Sequence, residues 1–398
     1  MARNHYRKIR RLKRAGINSR LGLRIRAIWR KRSVRVALGL CLVLLVFLIV
    51  HLFNKYTKYD DYEVVRSVKV DSGTDSKYVP FQEFVVKYSG DGISYIDGEE
   101  TVWEEGYQMK SPMIDVCDTY FAVADKNTND IFIYNDDGRQ GKVTTSYPIV
   151  KLEVAYQGVV AALLEDQGTN YIEVYDKEGN QLVSHKTLIG ENGYPIDFSL
   201  SEDGTKMMVS YLVAKKGSLT NKIMFYNFSG AGQNATDRMV GQFEQYGETV
   251  VPSVNFVTNS DAVAVGENIV SIYKMKDEPK LSEDIEVTDE IQKVFFSEEY
   301  IGLVLKNQNG KMPYRVEVYS LSGRRKMKVD ISTEYDKFSF SGENVLMAND
   351  MNCQIISLSG VKKFAYTFKG EVNSIIPVDG SRTYLFMTNT EIQKVRLK

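Results

Sequence analysis

The sequence predicts an all-β domain built from repeats and carried behind a membrane anchor. Three observations lead there: a basic N-terminal segment without a single carboxylate, an apolar run directly after it, and a strand-and-turn unit that recurs to the C-terminus. At 398 residues the chain is longer than one hydrophobic core usually serves, which favours an architecture that grows by adding units. The composition agrees, with 25 Tyr, 18 Phe, only 8 Pro and 26% charged residues, the proportions of a folded chain.

Residues 1–59 hold 16 Lys+Arg and no Asp or Glu, so residues 60–398 keep 51 − 16 = 35 basic against 51 acidic side chains, a balance near −16. The two parts suit different surroundings, and residues 1–35 read as a basic cytoplasmic tail. Within it Ile17, Leu21, Ile25 and Ile28 fall at helical spacing with Arg20, Arg24, Arg26 and Arg30 between them. That is the pattern of an amphipathic helix lying on anionic lipid head groups. Clustered Arg also neutralises nucleic-acid phosphates, but no nucleic-acid fold accompanies it, so nucleic acid is set aside as a partner.

The apolar run from Val36 to Phe53 is 18 residues long and free of Lys, Arg, Asp and Glu, the short end of what crosses ~30 Å of hydrocarbon as a helix. Fourteen Lys+Arg lie at or before Arg35 and only Lys55 and Lys58 follow closely, which places the N-terminus in the cytoplasm and the bulk outside. A cleaved signal peptide would have a short charged region and a small-residue site after the apolar core, and the sequence offers neither. The expected location is therefore the cell membrane, single-pass, with 54–62 as linker and 63–398 as the extracytoplasmic domain.

Residues 63–398 repeat one pattern, an apolar or aromatic strand running into a polar turn, at Ile131–Asn135, Tyr171–Asp176, Lys222–Asn227, Val270–Lys274, Arg315–Ser320 and Gln354–Leu358. With Ile93–Asp97 before and Ile392–Leu397 after, eight anchors stand at Asp97, Tyr134, Tyr175, Tyr226, Tyr273, Tyr319, Ser357 and Val395, spaced 37, 41, 51, 47, 46, 38 and 38 residues apart. Such spacing matches four-stranded propeller blades. Residues 196–246 show the four strands, a to d, most plainly, with alternation in Phe198–Ser201 and turn residues between strands. Eight blades are expected. Seven is the alternative count, because 78–97 lack the polar turn seen elsewhere between strands a and b. The last unit stops at strand c, whereas Glu63–Val70 precedes the first unit without a partner. Those residues are expected to supply the missing outer strand and so to hide an open sheet edge.

The unit around Phe198–Tyr211 and Lys222–Asn227, with Lys293–Leu305 and Lys337–Asn349 in other blades, resembles the repeat of WD40-like and quinoprotein-like propellers. With the tail and span, the chain resembles an uncharacterised family of membrane-anchored propellers from Gram-positive bacteria, a resemblance that implies fold and topology but no activity.

The search for chemistry yields mostly absences. His185 is the one histidine beyond the apolar run and reads as a surface residue of an outer strand, so no His-based metal site or Ser-His-Asp set can be assembled. Cys117 and Cys353 fall in strands several blades apart and read as free thiols. Trp103 is the single tryptophan of the domain, too few for a quinone-cofactor propeller with its docking motifs, and no cofactor is expected. Asp125, Asn127 and Asn129 have the opening spacing of a calcium loop, but Asp130 stands where such a loop needs Gly, so a turn is the stronger reading and metal the weaker. The pairs Glu104–Glu105, Asp136–Asp137 and Glu298–Glu299 would face opposite ways on a strand and read as solvated charges rather than glycosidase acids. No catalytic residue is assigned. The sequence points to a non-enzymatic binding or scaffold module contacting an envelope protein or wall polymer, with a glycan-acting hydrolase or lyase, or a transmembrane sensor, as alternatives.

Overall fold

A computed structural model describes residues 36, 39–40, 42–47, 56–70, 76–82, 84–97, 100–190, 192–215, 217–308, 310–379 and 382–398. The chain divides into two units between Lys58 and Tyr59. In the first, Val36, Gly39, Leu40 and Leu42–Phe47 are helical. Among the described residues no helix is long and apolar enough to cross a membrane. The tail 1–35 lies outside the described residues, and so does about half of the expected span 36–53.

The second unit is an eight-bladed β-propeller. Its strands form eight four-stranded antiparallel sheets, seven of them in simple chain order. Strands a of neighbouring blades contact one another and so lie innermost, while strands d, such as Thr101–Gly106 and Pro279–Glu286, are largely exposed. The seven-blade alternative falls because Lys77–Phe81 and Phe84–Tyr88 do pair as strands a and b of a regular first blade. Their turn needs no polar cluster, since it has only two residues, and Gln82 takes the left-handed region at φ 53°. All eight sequence anchors lie in or beside strand c, and all eight c–d pairs carry a register shift there, between Tyr95 and Ile96, Ile133 and Tyr134, at equivalent places onward, and opposite Val395 between Val64 and Arg66. Bulges of this kind increase local twist, so each outer strand turns away from its blade.

The eighth sheet has the order that closes the ring. Strand Tyr62–Lys69 pairs antiparallel with the C-terminal strand Glu391–Leu397, from Tyr62 opposite Leu397 to Lys69 opposite Glu391. Tyr59 N–H donates to the Lys363 carbonyl at 2.7 Å, and Asp60 and Asp61 N–H donate to the Lys398 carbonyl, so the entry to the domain is fastened beside its C-terminus.

The core lies between blades. Eight hydrophobic clusters serve eight blade-to-blade interfaces; Ala122, Ala124 and Ile131 of blade two meet Leu152, Val160 and Leu164 of blade three, for example. The interface that exists only because the ring closes puts Val85 and Ile96 of blade one against Ile376, Leu385, Met387 and Ile392 of blade eight. Gly302, on strand b of blade six, lies under the Phe295 ring, where an added Cβ would stand 2.1 Å from Cζ; glycine is required by that close approach.

Deleting residues 60–72 from the full chain removes the closing strand, exposes the c edge of blade eight and opens the interface between blades eight and one. The expected result in a thermal melt is loss of the single cooperative transition; a melt unchanged from the parent would show that closure is not what holds the ring.

Candidate functional site

The inner strands of blades two to four carry a connected group of charges that sequence reading missed. Asp115 of blade two (strand a, Pro112–Cys117) accepts a hydrogen bond from Val154 N–H of blade three at 2.7 Å. Glu153 of blade three (strand a, Ile149–Val154) accepts from Leu200 N–H of blade four at 2.6 Å. Asp197 of blade four (strand a, Tyr194–Leu200) accepts from Val254 N–H of blade five at 2.9 Å. Lys151 completes the group, with Nζ 2.9 Å from Glu153 and 2.6 Å from Asp197, and donates to the Phe198 carbonyl at 2.5 Å. Each carboxylate spends one oxygen on the next blade's backbone, so four consecutive inner strands are tied by charge-assisted bonds.

Recessed sites such as this one shift proton equilibria. Burial pushes the Glu153 carboxyl up to about 7 against the pull of Lys151, with the neighbouring Asp115 charge adding to the rise. Burial likewise raises Asp115 to about 6, opposed by the backbone N–H groups of Val154 and Val116. Lys151 is raised in turn, because the attraction of Glu153 and Asp197 exceeds its desolvation. In bonding terms the group is a structural tie, while a carboxyl titrating near neutrality is what a general acid requires.

Two grooves between blades are also recessed. One, of about 590 Å³, sits at the closure seam, with Tyr62, Tyr366, Phe368 and Phe386 beneath it and Lys369, Glu371 and Asn389 at its rim. Its rings pack edge to face, Tyr62 lying 5.1 Å from Tyr366 and 5.0 Å from Phe386. The other, of about 410 Å³, lies between blades three and four and is mostly apolar, lined by Val159, Val174, Leu182, Val183 and Phe228.

The sequence pattern of a family of unknown function, DUF5711, matches residues 55–397, the whole propeller and the approach to it. The chain belongs to that family. No functionally curated protein matches this DUF5711 member in sequence. Solved structures match it in fold. BamB from Moraxella catarrhalis superposes with a TM-score of 0.55 at 11% identity, covering 85% of this chain and 100% of that one. Sqt1 from Chaetomium thermophilum, crystallised with the N-terminus of ribosomal protein L10, gives 0.56 at 10% identity with the same coverage.

Against this frame the DUF5711 chain treats the sequence candidates unevenly. Asp125, Asn127 and Asn129 do form the turn between strands b and c of blade two, but they are drawn inward separately. Asp125 accepts from Lys110 and Ser111 N–H at 3.1 and 2.7 Å, Asn129 Nδ2 donates to the Thr145 carbonyl at 2.9 Å, and Asn127 occupies the left-handed region at φ 65°. Among the described residues no group of three or more His, Cys, Asp or Glu could hold a metal ion. Glu105 pairs with Arg139 at 3.1 Å, Asp136–Asp137 form a c-to-d turn, and Glu298–Glu299 form an a-to-b turn. Trp103 is structural, stacked 5.6 Å from Tyr134 with Nε1 donating to the Asp136 carbonyl. Cys117 and Cys353 are free; burial pushes the Cys117 thiol up to about 12, and burial raises Cys353 as well, so neither is a ready nucleophile.

His185 corrects the sequence reading. It is half-buried between blades three and four, its ring 4.8 Å from Tyr226 and its Nε2 3.0 Å from the Tyr226 hydroxyl, which in turn meets Tyr211 at 3.2 Å. Burial holds its pKa down. Its place on an outer strand suggested exposure, but the strand leans on the next blade. The inner charges were invisible for a comparable reason: Lys151, Glu153 and Asp197 are ordinary polar positions of strands until the ring brings blades three and four together.

The sign of the pH effect follows from the raised carboxyls. Glu153 and Asp115 have ordinary values of 4.5 and 3.8 when unfolded and about 7 and 6 when folded. Between roughly pH 4 and 7 the folded domain thus holds protons that the unfolded chain has released, and these two groups lower stability as pH rises through that window. Glu153→Gln keeps an oxygen for Leu200 N–H and removes the larger titration. Melting followed by circular dichroism from pH 5 to 8 is expected to give a clearly flatter pH dependence for this variant than for the parent; parallel curves would refute the assignment.

Proposed function

We propose that this chain is a non-enzymatic binding and scaffold module, held at the outer face of the cytoplasmic membrane by 36–53 with residues 1–35 inside, in the Gram-positive envelope that the sequence resemblance implies. The observation that carries the reading is the contrast between spent and open surface. The charges of the inner strands are engaged in tying blade to blade, whereas the recesses between blades are open and lined by side chains suited to contact. The eight rigidly packed blades present many turns on both faces, a broad surface on which loop residues set specificity. The charge asymmetry around residues 36–53 supports the membrane placement, and the chain enters the domain on the face that bears the a-to-b and c-to-d turns. Support for a protein partner comes from Sqt1, a propeller of similar fold whose structure holds a ribosomal protein N-terminus.

Crosslinking of the tagged full chain in intact cells is expected to enrich a small set of envelope proteins or wall polymer, and protease added outside is expected to degrade the propeller but leave 1–35 protected. A crosslinking profile identical to that of an unrelated tethered domain would overturn the binding reading, and protection of the propeller would overturn the topology.

Glu153 favours one second reading, a glycan-acting hydrolase or lyase, because a carboxyl near 7 is poised as a proton donor. Release of reducing ends from purified wall glycan that disappears in Glu153→Gln would establish it, and no release by the parent would remove it.

A further inference from the structure

The groove between blades three and four permits a more specific statement, which rests on the binding reading above. We infer that it is a docking slot for a cationic peptide segment of a partner protein that inserts one bulky apolar side chain. Its volume of about 410 Å³ lies near the lower end of ligand pockets, room for a side chain or two rather than a cofactor. The blade-three wall is apolar, with Val159, Val174 and Val183, while the blade-four wall sets Phe228 beside Asp203, Thr205 and Arg238, and Leu182 at the mouth is 55% exposed.

The wall on the blade-four side is built and held. Residues 228–238 form the longest c-to-d connection of the domain, where other blades use two to five residues. Asn227 Nδ2 donates to the Asp277 carbonyl of blade five at 2.9 Å, Ser229 Oγ donates to Asn227 Oδ1 at 2.6 Å, and Gly232 passes so close to the Asn227 carbonyl that an added Cβ would lie 1.9 Å away. Asp237 and Arg238 both sit in the left-handed region, at φ 51° and 63°. A loop fixed in this way keeps the slot open without a partner, which cuts the ordering cost of binding. On strand d of blade three His185 projects on the same side as Val183, and its contact with Tyr226 joins the two blades alongside the slot.

Charge selects the occupant. Asp203 lines the slot, and the turns of blades three to five on the same face carry Asp176, Glu178, Glu202, Asp237, Asp277 and Glu278. The cations there are fewer: Lys206 is committed to Asp203 at 3.2 Å, and Lys177, Lys276 and Arg238, which itself lines the slot, remain against the larger number of acids. The domain as a whole is near −16. A segment with Lys or Arg flanking one Leu, Phe or Met therefore matches both the slot and its rim.

The test selects peptides from a displayed random library on the full-length chain solubilised in detergent, then measures labelled synthetic copies by fluorescence anisotropy. Selected sequences are expected to combine one bulky apolar residue with Lys or Arg, and to bind more weakly as salt is raised. Leu182→Asp, a change at an exposed position, is expected to weaken them by about tenfold or more, the loss typical of an anchoring contact. Leu219→Asp, at an exposed leucine on the b–c hairpin of the opposite face, is expected to leave binding unchanged. Selection of acidic or wholly polar peptides, equal binding by Leu182→Asp, or no selected peptide would overturn the slot. If the envelope partners crosslinked in cells survive Leu182→Asp, the binding reading stands and the site lies elsewhere.

Discussion

Every blade of this propeller depends on its neighbours for a hydrophobic interior. A four-stranded sheet has two faces to cover, and the eight clusters that cover them each draw residues from two adjacent blades. The consequence is circular: blades one and eight are covered on both faces only when the ring is complete. Closure therefore completes the core, and it depends on pairing Tyr62–Lys69 with Glu391–Leu397 across the length of the domain. Because the two strands come from opposite ends of the chain, the entropy of closing that loop is offset only once all the intervening interfaces form.

The polar side of the same constraint appears at the inner strands. Their backbone groups face the centre of the ring, where no further strand can pair with them. Asp115, Glu153 and Asp197 supply acceptors to the N–H groups of the following blade, and Ser199 does the same for Phe256 at 2.9 Å. Hydrogen bonds to charged groups contribute roughly 1.5–3 kcal/mol each, which offsets part of the cost of recessing the carboxylates. The residue of that cost is visible in the raised proton affinities of Glu153 and Asp115. Stability and titration at this site thus have one origin, the need to satisfy inner-strand backbone with side chains.

Where recesses remain, they lie between blades and owe their shape to local departures from the repeat. The seam groove includes Tyr62 only because the closing strand arrives from the N-terminal end. The slot between blades three and four exists because residues 228–238 extend the c-to-d connection and Leu182 is left uncovered. In a repeat architecture such irregularities are the natural carriers of specificity, since the regular parts are committed to packing.

Several features were determined by the sequence alone. Period-two apolar strands, their spacing and the unpaired segment before the first unit were enough to read a closed ring of eight blades with seven as the alternative, because these are local patterns whose partners are implied by the fold, and the pairing of Lys77–Phe81 with Phe84–Tyr88 decided for eight. The paired carboxylates likewise fell on the strands and turns where a local reading puts them. What only the tertiary structure decided is which polar residues share a site. Lys151 and Asp197 stand 46 positions apart and His185 and Tyr226 stand 41 apart, and each pair meets across a blade interface. No local periodicity encodes the lean of one blade on the next, so the inner charge group, the half-buried histidine and the apolar slot became visible only when the ring set those blades side by side.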